Sequence, residues 1–97
     1  MRGYEPGEPT ARDLEVLALL RGRDGSPTDV ELGDGRRCRV WNIAWGYDAG
    51  ESWAAITTNI SPDVDGEEID AFSSEEVDVI RVPESGAVLL GPVPPSP

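Results

Sequence analysis

The sequence predicts an α+β domain that is mostly β: one N-terminal helix, then a small antiparallel, barrel-like sheet of five or six strands. Three observations carry this. A capping signal at Thr10 opens a run of good helix formers that stops at Gly22. From Thr28 onward, short runs of alternating, β-branched and aromatic residues take over. Turn signals of two to eight residues separate those runs, which suits antiparallel neighbours and leaves no length for crossover helices.

Residues 1–9 hold two Pro and two Gly without apolar periodicity and read as a flexible arm. Residues 10–91 read as one compact domain, and 92–97, "PVPPSP", as a Pro-rich disordered tail. Thr10-Ala11-Arg12-Asp13 forms a capping box, with the Thr10 hydroxyl accepting from the Asp13 N–H and the Asp13 carboxylate reaching back. In "ARDLEVLALLRG", Leu14, Leu17 and Ala18 share a helix face, and Arg21 and Gly22 stand where a helix ends. Leu14, Val16, Ala18 and Leu20 also alternate, so a strand over 14–20 is the rival; the cap and Gly22 favour the helix.

Strands follow at "TDVEL" (28–32), "RRCRVWNIAWGY" (36–47) and "SWAAITTNI" (52–60), joined by "GDG" and "DAGE". "SPDVDGEE" is an acidic loop. "EIDAF" (68–72) and "VDVIRV" (77–82) flank "SSEE", a single helical turn, and "PESG" leads into "AVLL" (87–90). The strand, helical turn, strand rhythm of 68–82 resembles SH3-like and Sm-like small barrels in shape only. No sequence motif of either family is present, so the resemblance implies an architecture and no function.

All three tryptophans lie between residues 41 and 53. In 52–60, Ile56 and Ile60 share one parity, and Trp53, Thr57 and Asn59 the other. If Tyr47 pairs with Ser52, Trp45 falls opposite Ala54 and Ile43 opposite Ile56. Trp41, Ile43 and Trp45 then join Ile56 and Ile60 in the core, and Trp53 is left outside. Arg37 and Arg39 share the parity of Trp41 but cannot enter a core as charges. The strand therefore exits the sheet, or a bulge near Val40 turns Cys38 and Val40 inward.

The net charge of −11 is lopsided. Residues 1–40 carry seven Arg against eight Asp/Glu, and residues 41–97 one Arg against eleven. Direct binding to nucleic-acid phosphates or to anionic membrane needs cationic surface and is not expected. A basic protein partner would be drawn in by this field. All eight cations are Arg, a usage that fits GC-rich coding, a halophile or a need for planar guanidinium contacts. The "MRGYEPGEPT" start lacks a signal peptide's apolar run, and no segment is long and apolar enough to span a bilayer. A single cysteine, Cys38, allows no internal disulfide and fits a cytoplasmic setting.

The chain offers little for catalysis. It has no His, so the commonest general base and transition-metal ligand are missing and Cys38 has no His partner. No phosphate loop, nucleophile elbow or zinc-protease motif occurs. Asp63, Asp65, Glu67 and Glu68 form an acidic loop whose "DVDGEE" fails the calcium-loop spacing, since Phe72 falls where a bidentate Glu is needed. No catalytic residue, cofactor or metal is expected. The expected function is a non-enzymatic binding module, meeting a protein partner or a second copy through Trp53, Thr57 and Asn59, with Tyr47 and Asp48 at the adjoining turn. An acidic nucleic-acid mimic and a small-ligand pocket inside a barrel are the alternatives.

Overall fold

The structure, a computed structural model, describes residues 9–60 and 68–92. The arm at 1–8, the loop at 61–67 and the tail at 93–97 lie outside the described residues. Helix α1 spans Ala11–Gly22, which settles the helix-or-strand alternative. Thr10 caps it, its Oγ1 accepting from Asp13 N at 3.0 Å. The other half of the expected capping box is not made: the Asp13 carboxylate turns inward, and the Thr10 N–H donates to the Ser52 carbonyl at 3.3 Å. The buried residues of α1 are Asp13, Val16, Leu17 and Leu20, at i, i+3, i+4 and i+7. The expected Leu14–Leu17–Ala18 face is thus off by about one position, and Leu14 is 54% exposed. A sequence pattern assigns a carboxylate to water; only converging donors make its burial tolerable.

Among the described residues seven strands follow: β1 Thr28–Leu32, β2 Arg37–Val40, β3 Ile43–Gly46, β4 Ala55–Thr58, β5 Ala71–Ser73, β6 Val77–Arg81 and β7 Val88–Leu90. They form two antiparallel sheets, β2-β1-β6-β7 and β3-β4-β5. These sheets do not close on one another, which corrects the barrel-like expectation of five or six strands. The single strand expected over 36–47 divides at Trp41 and Asn42, and its halves enter different sheets. Charge is one reason. Cys38, Val40 and Asn42 are buried while Arg37 and Arg39 face water, and Ile43 and Trp45 then pair with buried Thr58 and Ile56, so the inward parity changes across the corner. A 3-10 turn, Ser74–Glu76, carries the chain back from β5 to β6. Ser73 and Glu76 close a capping box around it, the physical basis of the helical turn expected at "SSEE". The "GDG" and "PESG" turns place Gly35 and Gly86 at φ +94° and +74°, where a side chain would be strained.

Two asparagines hold the corner between β2 and β3. The Asn59 Oδ1 accepts from Trp41 N at 2.7 Å, and its Nδ2 donates to the carbonyls of Arg39 and Glu68 at 2.8 and 2.7 Å. In return, Asn59 N donates to the Asn42 carbonyl at 2.8 Å, and Ile60 N to Asn42 Oδ1 at 3.0 Å. These bonds replace the ladder that the corner interrupts. Asn59 sits at φ +57°, which ends β4 and leaves Ile60 49% exposed instead of in the core.

The β3–β4 register is also displaced. Trp45 pairs with Ile56 and Ile43 with Thr58, a slip of two residues that preserves the expected facing. The cause lies beyond the hairpin: Tyr47 and Ala54, which would extend the ladder, both bond to Asp13. Trp41 and Trp45 are not core residues, as the pairing had implied. Trp41 is half-buried at the corner, and Trp45 hangs off the edge strand, 41% exposed, under the Arg21 guanidinium. The shared core is aliphatic with Phe72 as its aromatic member. It draws Val16 and Leu20 from α1, Val30 and Ile80 from one sheet, and Ile56 and Phe72 from the other.

Candidate functional site

The outer face of the three-stranded sheet is built from small side chains. Pairing puts Gly46, Ala55 and Ser73 in one cross-strand row and Ala44, Thr57 and Ala71 in the next. Side chains of paired residues project to the same side. A face of this kind has no bulk of its own, and its relief comes from the loops at its end. There the stretch from β3 to β4 brings Asp48, Glu51 and Trp53 beside Ala55 and Ser73, with Glu75 of the 3-10 turn opposite. Together they line an open cleft of about 300 Å³. Trp53 is half-buried, and Asp48, Glu51 and Glu75 are exposed. Among the described residues the lining carries three carboxylates and no cation.

Two other hollows on the described surface differ in that respect. One, of about 260 Å³, is lined by Arg21, Asp24, Ile43 and Trp45, and its Arg21 guanidinium lies 4.6 Å from the Trp45 ring centre. The other, of about 340 Å³, lies on the outer face of the four-stranded sheet between Asp29, Glu31, Arg37 and Arg81. Asp29 is paired with Arg39 at 2.8 Å and Glu31 with Arg81 at 2.9 Å. Both hollows contain a guanidinium from the chain itself.

Of the residues expected to meet a partner, Trp53 and Asp48 fall together in the cleft, and Thr57 lies one row away on the same face. Asn59 does not share that face: it is 4% exposed, and its side-chain amide is engaged at the corner. Tyr47 has an exposed ring, but its hydroxyl donates to Asp13 Oδ2. Glu68 is exposed, whereas Asp63, Asp65 and Glu67 lie outside the described residues. Glu51, Ser73 and Glu75 were not singled out from sequence. Glu51 and Glu75 occupy two turns 24 positions apart, and the β4–β5 pairing brings them together.

Ser73 Oγ accepts from Glu75 N at 3.1 Å as a helix cap. Cys38 is buried on β2, where burial first, and then the nearby Asp70 carboxylate, push its thiol up to about 11. Among the described residues no group of His, Cys, Asp and Glu converges as a metal site, and no helix is long and apolar enough to cross a membrane. No family model matches the chain, and no curated protein or solved structure matches it.

Proposed function

We propose that this chain is a small, non-enzymatic binding module that meets a basic partner protein through the outer face of its three-stranded sheet, centred on Trp53. One observation carries the reading: a half-buried tryptophan forms part of a cleft whose charged residues among those described, Asp48, Glu51 and Glu75, are all acidic. Tryptophan is enriched where interfaces concentrate their energy. A cleft of one charge sign steers partners of the opposite sign. The small-residue rows beside it let another backbone approach closely.

Parallel capture experiments with wild-type, Trp53→Ala and Glu75→Lys baits test this. Loss of Trp53 should weaken the relevant partner by about 30-fold or more, equivalent to about 2 kcal/mol at a hot spot. Glu75 is exposed, so Glu75→Lys should disturb the interface without disturbing the fold. An identical set of partners and an identical oligomeric state for all three folded baits would discard the reading.

The charge asymmetry favours a second reading, an acidic mimic that fills the nucleic-acid groove of another protein. Residues 41–97 carry a net charge of −10, from one Arg and eleven Asp/Glu. A mimic's affinity would collapse between low and high salt and be indifferent to Trp53. An aromatic contact retains part of its affinity at high salt and is lost with the indole.

A further inference from the structure

We infer that the Trp53 cleft takes an arginine side chain presented by a partner's extended segment. The guanidinium would lie on the indole face between Asp48, Glu51 and Glu75. This rests on the binding-module reading and specifies the chemistry of its partner.

The argument for a cation is one of complementarity. The chain builds an aromatic-and-acidic hollow twice. At Trp45 and Asp24 it supplies the guanidinium itself, from Arg21. At Trp53 it places three carboxylates around the cleft and, among the described residues, no guanidinium. The described arginines are committed elsewhere. Arg12 donates to the carbonyls of Val77 and Asp78, Arg23 to Thr28 and Pro27, and Arg36 pairs with Asp34 and Glu76. Arg39 and Arg81 pair with Asp29 and Glu31, and Arg37 lines that same hollow on the other sheet.

Shape narrows the cation. A divalent metal needs several oxygen ligands converging at short range, and the described carboxylates do not converge in this way. Acidic groups spread around an open cleft suit a larger, delocalised cation. Ala55 and Ser73 give it a low floor on which a flat group can lie. Guanidinium is planar, stacks on aromatic faces and forks toward carboxylates, whereas an ammonium is a compact and strongly hydrated point charge. The loosely built acidic rim therefore favours arginine over lysine.

The test uses the full chain with Trp41→Phe and Trp45→Phe, so that Trp53 is the only tryptophan and selective excitation reads it alone. Three blocked tripeptides are titrated against it: Gly-Arg-Gly, Gly-Lys-Gly, and the isosteric neutral peptide with citrulline at the centre. The readouts are Trp53 emission and its indole N–H resonance. The expected result is a saturable millimolar response in the order arginine, lysine, citrulline. Asp48→Asn and Glu75→Gln should each weaken the arginine response about two- to fivefold, as exposed charge contacts do. Both variants should leave the denaturation midpoint unchanged.

Equal responses to the arginine and citrulline peptides would overturn the arginine assignment while leaving the binding face in place. No saturable response from a folded protein would overturn it as well, and the capture experiment with Trp53→Ala would still decide the binding-module reading on its own. If Arg2→Ala alone changed Trp53 emission and strengthened peptide binding, the chain's own Arg2 would be the occupant, and the partner assignment would fall.

Discussion

Asp13 sits in the first turn of α1, where aligned backbone dipoles favour a carboxylate, and it is wholly buried. Three donors from elsewhere in the chain meet it. Ala54 N donates to its Oδ1 at 2.8 Å, the Ser74 hydroxyl to the same oxygen, and the Tyr47 hydroxyl to Oδ2. Removing the acceptor strands buried donors, which is the costly way to break a polar cluster. Asp13→Ala should lower stability in urea by about 3 kcal/mol, Asp13→Asn by less, and Tyr47→Phe by about 1 kcal/mol. The ring of Tyr47 is exposed, but its hydroxyl is sheltered against Asp13. Burial first, and then the hydrogen bond and charge of Asp13, raise its pKa to about 12 from the ordinary 10. The neutral phenol is the form that donates, so its stabilisation is complete below pH 10 and is lost as pH rises through 12. Tyrosinate absorbance in a Tyr4→Phe chain should show this late titration, and it should move toward 10 in Asp13→Asn.

Among the secondary-structure elements, the corner between β2 and β3 decides how the sheets are related, and Asn59 is the residue on which it turns. Two demands meet at that position: a positive φ and an amide that both accepts and donates. Glycine satisfies the first alone, aspartate only the accepting half of the second, and alanine neither. Denaturation of the three variants should separate these demands. Asn59→Ala should cost about 3 kcal/mol, combining αL strain with lost hydrogen bonds, and Asn59→Gly should cost clearly less. Equal losses would mean that backbone strain contributes nothing there. Such a residue is hard to read in sequence, because alternation in "SWAAITTNI" gives no sign that the strand ends at Thr58. The strand 28–32 was legible in full, since its buried positions Thr28, Val30 and Leu32 follow the alternation and the "GDG" turn bounds it.

For the whole molecule, two open sheets share one core with α1, so neither sheet has an interior of its own. They should unfold together. Cys38 lies in the four-stranded sheet and Trp45 in the three-stranded sheet, so each reports on one of them. At pH 8 the native thiol holds about a hundredfold less thiolate than at its ordinary value of 9, in addition to being sterically covered. Thiol labelling and Trp45 emission in a Trp41→Phe, Trp53→Phe chain, followed across a urea gradient, should share one midpoint. Two midpoints would show that the sheets are separate folding units. The charge asymmetry also belongs to this scale, because a field summed over the surface steers association without specifying a fold.

The sequence by itself determined the elements whose causes are local. These are the Thr10 cap and the helix it favours, the glycine turns, the strand at 28–32 and the helical turn at "SSEE". Each depends on residues within a few positions of one another, so spacing and side-chain chemistry are sufficient. Only the tertiary structure decided the burial of Asp13, the corner at Asn59, the exposure of Trp45 and the cleft at Trp53. Asp13 meets donors 41 and 61 positions away, and Asn59 bonds a backbone 18 positions away. A buried carboxylate and a left-handed asparagine are unfavourable alone and become favourable only when distant partners arrive. The cleft likewise exists because β4 lies beside β5 and brings two acidic turns to one end of a sheet.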